Sequence, residues 1–340
     1  MNTISNELLY KIERVINKYS LVNGKDVFVA YSGGKDSMFL CNAMQQLGYQ
    51  VFPIIIDIGY HSDWTLAFEN AKKHKMNAML LDDSYLRLNN PDAISVVENL
   101  FQQVTKIANG SQQKATICTP CYNAKIMILK SWAEANGISR IAMGHHGTDA
   151  ISSMLKSYYY YVDRWYNNNK SYDYYRYCTL IESQRDVYST SIEDFLNSDV
   201  NNQLCNLIKS GFVGTDEPVV QYIKDSNIKL YRPMYGIYEN DIISHYNNET
   251  VIKETFNYIS KMNITECFLA NYRNADRMTP RELIQFHLLS SANRSIMNCL
   301  LEKCSESMDE RGFLKYNVRN NRSRILGSSY KDDSGNIKKL

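Results

Sequence analysis

The sequence predicts an α/β protein: a parallel sheet flanked by helices, with a Tyr-rich insertion and a mostly helical C-terminal region. Three observations lead there. Between residues 27 and 143, apolar runs of strand length alternate with segments of helical periodicity. One run passes through two adjacent glycines straight into a helix start. Another ends in the turn Gly144-His145-His146. A β-α-β order puts both turns at the carboxyl edge of the sheet, where open α/β sheets bind their ligands.

In chain order, residues 5–19 read as an amphipathic helix, with Leu8, Leu9, Ile12, Val15 and Ile16 on one face. Val27–Tyr31 reads as a strand and Ser37–Leu47 as a helix. Val51–Ile58 is the next strand and Thr65–Lys75 the next helix. Ala78–Leu81 is a short strand, and residues 91–108 are helical. A long helix covers about Asn123 to Asn136, ended by Gly137. Ile141–Met143 is a further strand, and another helix runs from Asp149. Residues 1–156 form this sheet domain. Residues 157–227 break the pattern: tyrosines crowd together (Tyr158 to Tyr161, Tyr166, Tyr172, Tyr174, Tyr175, Tyr177), asparagine is abundant and periodicity is poor. They read as an insertion that either stacks on a planar substrate or serves as a packing surface or homodimer contact. Regular structure resumes at Ile228–Arg232, and residues 228–310 complete the domain with helices to about Cys304.

Composition sets the class. An apolar fraction of 44% and a charged fraction of 22% are those of a globular chain. No apolar run approaches the roughly 18 residues of a membrane span, and the first residues lack a basic and apolar leader, so a cytoplasmic protein is expected. Its eight cysteines are then expected to be reduced, and close pairs read as metal or catalytic ligands. Residues 311–340 hold eight Lys/Arg against two Asp, a net of +6, which leaves −4 elsewhere in a chain of net +2. That basic tail either tracks phosphates or is a solvated terminus.

The richest stretch is Val27-Phe28-Val29-Ala30-Tyr31-Ser32-Gly33-Gly34-Lys35-Asp36-Ser37. Adjacent glycines let the backbone turn so that its N–H groups converge on an anion at the N-terminus of the following helix. Ser32 and Ser37 add hydroxyls, and Lys35 adds a point charge suited to phosphate. The spacing is not G-x-x-x-x-G-K-[ST]. Cys118-Thr119-Pro120-Cys121 precedes a helix that carries Lys125. Such a pair grips a metal, forms a redox couple or is structural, and a helix N-terminus with Lys125 nearby favours the thiolate. His145 and His146 contact a ligand or pack and satisfy backbone groups. Asp57, at the end of its strand, meets a ribose or adenine or caps a turn. Cys41, on an apolar helix face, reads as core.

The string Ser32-Gly33-Gly34-Lys35-Asp36-Ser37 resembles the PP-loop of the N-type ATP pyrophosphatases, or adenine nucleotide α-hydrolases, whose fold is Rossmann-like. With Cys118-x-x-Cys121 and Lys125, Gly144-His145-His146-Gly147-Thr148-Asp149, and Arg232-Pro233-Met234 before a helix, the chain resembles the tRNA 2-thiocytidine and 2-thiouridine synthetases. The resemblance covers roughly residues 20–156 and 229–270. It implies ATP and Mg²⁺ as cofactors, with ATP bound by Ser32, Gly33, Gly34, Lys35, Asp36, Ser37, Asp57, Gly144, His145 and His146. It implies catalytic roles for Lys35, Asp36, Lys125 and Asp149. It also implies a [4Fe–4S] cluster on Cys118, Cys121 and Cys267, a sulfide or persulfide donor, and a nucleobase-containing acceptor, either tRNA or a small molecule. Thr148 stands where the family usually has the first of two aspartates, and the zinc-finger cysteines of the 2-thiouridine branch are absent. The implied activity is adenylation of a carbonyl oxygen and its replacement by sulfur, releasing AMP and pyrophosphate. Two alternatives remain at this stage: a ligase using a nitrogen nucleophile, and a non-catalytic nucleotide- or RNA-binding module.

Overall fold

The computed structural model describes residues 3–57, 64–82, 84–85, 94, 98, 102, 118–154, 190–191, 215, 217–246, 277–278, 291–314, 330–331 and 337–338. Helix α1 (Asn6–Lys18) starts at Ser5, whose hydroxyl accepts from the Leu8 N–H, and buries Ile12 and Ile16. Then come β1 (Asp26–Ala30), α2 (Lys35–Gln46), β2 (Gln50–Ile56), α3 (Trp64–Lys73) and β3 (Met79–Leu81). Helix α4 (Cys118–Ala135) leads to β4 (Arg140–Met143), followed by a helix over 147–154, here α5. Strands β5 (Val220–Tyr222) and β6 (Lys229–Tyr231), α6 (Glu239–Tyr246) and α7 (Ser291–Glu306) complete the body.

The six strands form one sheet in the order β3-β2-β1-β4-β6-β5. All neighbours are parallel except β5, which pairs antiparallel with β6. This is the expected α/β architecture. The strand order reverses direction at β1 and β4, so the crevice between their carboxyl ends is the switch point of the sheet. Alternation along β1 serves both faces. Val27 and Val29 join a core with α1, α2, α3 and α7, while Phe28 packs toward the core under α4, against Trp132 at 5.8 Å. Cys41 is wholly buried in the first core, as its place on α2 suggested.

Element ends account for the differences from the sequence reading. Helix α4 begins at Cys118 and not near Asn123, because Pro120 falls in a first turn whose N–H groups have no intrahelical partner anyway. The described positions of 91–108, residues 94, 98 and 102, are helical. The sheet resumes at Val220, inside the stretch read as insertion. That strand was missed because it is three residues long and alternates little. Its outer edge is covered: the Val220 N–H donates to Gly312 O at 3.0 Å, and Tyr222 stacks on Phe313 at 4.5 Å. Among the described residues no helix is long and apolar enough to cross a membrane.

Trp132, 2% exposed, is among the largest buried side chains and anchors α4 to the sheet. Trp132→Ala is expected to cost about 3–5 kcal/mol, read as a lower urea midpoint with an unchanged slope.

Candidate active site

Strand β1 delivers the chain into Tyr31-Ser32-Gly33-Gly34 at the sheet's carboxyl edge. Gly33 has φ +76°, a conformation that a side chain resists, and Gly34 caps α2 in extended conformation. The Gly34 N–H donates to Ser32 Oγ at 3.3 Å, and the Ser37 hydroxyl donates to Gly34 O at 3.1 Å. The turn therefore stands ready at a helix N-terminus, with two hydroxyls 3.3 Å apart.

Beside it opens a cleft of about 320 Å³, within the range of small-molecule sites. The ends of β1, β2 and β4 form its floor through Ala30, Ile54, Ile56 and Met143. Ser32, Asp36 and Ser37 come from the turn and α2. Tyr122, Lys125, Ile126 and Leu129 come from α4, and Gly144, His145 and Asp149 follow β4. Gly144 allows the close approach: a Cβ there would lie 3.0 Å from Ser37 N and 3.1 Å from Ser37 Cα. Both atoms are backbone, so a side chain at 144 would crowd the start of α2 and ask it to shift by a few tenths of an ångström.

The two histidines sit differently. His146 is 1% exposed. Its Nε2 lies 3.6 Å from Asp36 Oδ1 and its Nδ1 3.4 Å from Asp149 Oδ2, while its backbone N–H donates to Asp149 Oδ2 at 2.9 Å. The backbone bond is half of a capping box that starts α5. His146 thus packs and ties two motif carboxylates together, and His145 faces the cleft. Burial pushes the His145 imidazole below its usual pKa, with the Glu217 carboxylate opposing and the Arg232 guanidinium assisting, so the ring is neutral at physiological pH. Burial also works against the Asp36 charge. The hydrogen bond with His146 and the charge of Lys35 outweigh it and hold that carboxyl well below the usual carboxylate range.

Lys35, at the start of α2, is paired with two carboxylates. Its Nζ donates to Asp36 Oδ1 at 2.8 Å, to Asp36 Oδ2 at 3.0 Å and to Glu239 Oε1 at 2.6 Å, and its side chain does not line the cleft. Glu239, at the start of α6 and 5% exposed, escaped the sequence reading because it lies 204 positions from its partner. Thr148, in place of an aspartate, is wholly buried and accepts the Glu239 N–H at 3.0 Å. The Arg232-Pro233-Met234 element supports this region. Arg232, 1% exposed, donates to Pro218 O at 2.7 Å and pairs with Glu217, and Met234 bridges His146. Asp36, His146 and Glu239 bring ligand atoms within 4.8 Å of one another, a donor set suited to a divalent cation. The Lys35 ammonium supplies positive charge to Asp36 and Glu239.

Asp57 sits one residue past the cleft wall, its N–H on Leu81 O, and does not line the cleft. The backbone of Cys118 and Cys121 opens the helix whose next turns line the cleft. The side chains of both, and Cys267 altogether, lie outside the described residues, as do Cys178, Cys205 and nearly all of the Tyr-rich segment.

No family model matches the chain. Curated proteins do. It is 27% identical over 167 residues to a tRNA-cytidine(32) 2-sulfurtransferase of Coxiella burnetii, covering 46% of this chain and 57% of that one. It is 28% identical over 171 residues to the Legionella pneumophila protein of the same name, covering 48% and 54%. The relatives are tRNA sulfurtransferases. The PP-loop resemblance read from the motifs therefore holds, and the chain spans a little over half the length of the curated relatives it matches. Among solved structures, the U34-tRNA thiolase NcsA from Methanococcus maripaludis with its [4Fe-4S] cluster aligns at a TM-score of 0.47 and 14% identity, over 98% of this chain and 90% of that one.

The site yields a pH prediction. The His145 pKa is depressed in the folded protein, so the unfolded chain binds the extra proton first, and stability is complete above about pH 6.5 and falls on acidification. Urea titrations across that range are expected to show a shallower acid loss in His145→Gln than in wild type.

Proposed function

We propose that this protein is an ATP-dependent sulfurtransferase that thiolates a nucleobase in tRNA. The observation that carries the reading is the kinship with tRNA-cytidine(32) 2-sulfurtransferases. The cleft supports it, being apolar on its floor and bounded by an anion-seeking glycine turn. In this reading the ATP phosphates lie over Gly33 and Gly34 at the N-terminus of α2, held by Ser32, Ser37 and Lys35, with Mg²⁺ as their counter-ion. The base stacks among Ile54, Ile56 and Met143.

The acceptor's carbonyl oxygen attacks the α-phosphorus, and the bond to the β-phosphate oxygen breaks to release pyrophosphate. Sulfide then attacks the activated carbon. The original oxygen leaves on AMP, and the proton from hydrosulfide is lost to solvent. Negative charge shifts along the phosphates during the first step, so fixed donors and Lys125, which reaches the cleft from α4, do most of the work. His145, kept neutral, is suited to hydrogen-bond the acceptor or the nucleotide without adding charge. Asp149 and Asp36 hold His146 and through it the turn. Cys118, Cys121 and Cys267 are the proposed ligands of an iron–sulfur cluster, a group that when bound offers sulfur an open iron.

The assay is release of AMP and pyrophosphate from ATP with sulfide and unmodified tRNA, followed by mass spectrometry of the digested nucleosides. Thiolated cytidine dependent on all three components is the expected product. Lys125→Ala is expected to lower turnover by about 10²-fold or more with an unchanged melting temperature. Product formation that persists in Cys118→Ser removes the sulfur role assigned to the cysteines. Turnover with ammonia in place of sulfide favours the ligase reading.

A further inference from the structure

Lys35 carries the longest side chain at this corner and is about a quarter exposed, whereas Glu239 and His146 are buried. Its long side chain carries a compact ammonium with three donors, and two carboxylates claim them. Glu239 is the firmer of the two. It is buried, its backbone N–H is bonded to Thr148, and its helix returns to the turn through Tyr246, whose hydroxyl donates to Lys35 O at 3.1 Å. Its backbone is thus held beside the glycine turn, with the carboxylate on Lys35 Nζ. A triphosphate arriving at that turn meets both an ammonium already engaged and a negative charge.

We propose that Glu239 is a positioning residue that parks Lys35 beside the cleft and yields it to the nucleotide: phosphate replaces the Glu239 carboxylate as the ammonium's partner on binding, and the carboxylate retakes it when pyrophosphate leaves. This rests on the nucleotide-binding reading above. Parking keeps the buried Glu239 charge satisfied in the empty site. It scales the apparent affinity for ATP down to the fraction of Lys35 that stands released. Adenosine, which has no phosphates, is indifferent to the exchange.

The test is calorimetric titration of the full chain with ATP and with adenosine, using wild type, Glu239→Gln, Glu239→Asp and Thr148→Val. In Glu239→Gln, ATP is expected to bind about three- to tenfold more tightly and adenosine as in wild type. Glu239→Asp keeps the charge and is expected to stay within about twofold of wild type for ATP. Thr148→Val loosens Glu239 and is expected to shift ATP affinity in the same direction by a smaller factor; it decides the matter alone if Glu239→Gln does not fold. A folded Glu239→Gln that binds ATP no better than wild type overturns the inference, as does Glu239→Asp behaving like Glu239→Gln. Wild type that binds no ATP overturns the nucleotide reading itself, and the inference falls with it.

Discussion

Charges withdrawn from water must face one another, and the site is organised around that requirement. A buried carboxylate is costly unless a cation or hydrogen-bond donors meet it. Glu239 and Asp36 are met by Lys35, Asp36 also by His146, and His146 by Asp149. These residues come from α2, the turn after β4, α5 and α6. Satisfying the knot therefore fixes four elements at one corner of the sheet. The close approach at Gly144 helps bring the knot together, since a methyl group there would crowd the start of α2.

The cleft inherits its properties from this corner. Its apolar floor is the carboxyl end of three parallel strands, buried below by α4, and its polar rim is the turn and the residues after β4. Asp36 lines the cleft and is paired with Lys35 and His146, neither of which lines it, so this part of the rim is braced from outside the cleft.

How much of this was legible in the sequence followed from range. The path from β1 through Gly33 into α2 depends on neighbours, and its apolar run, glycine pair and helix start declared it. The same holds for the strand before Gly144 and for α1, whose apolar face is the one that packs. What failed to show were partnerships between distant positions. Glu239 sits at the head of an eight-residue helix and reads as an ordinary acidic first turn. The distinct fates of His145 and His146 could not be told from their adjacency, because the turn sends one ring inward and the other to the cleft. Thr148 looked like a lost carboxylate and is instead the hydroxyl that starts α6. The three-residue β5 was too short for periodicity to reveal.

The covered edge of the sheet has a consequence of its own. Gly312 and Phe313 fasten residues 309–314 to β5 by a backbone bond and a ring stack, with Arg311 over Phe313 and Lys229 over Tyr222 closing both ends of the stack. A chain trimmed short of Asp309 would bare a ladder of open amides and invite copies to zip together edge to edge. One trimmed just after Leu314 would keep its hem.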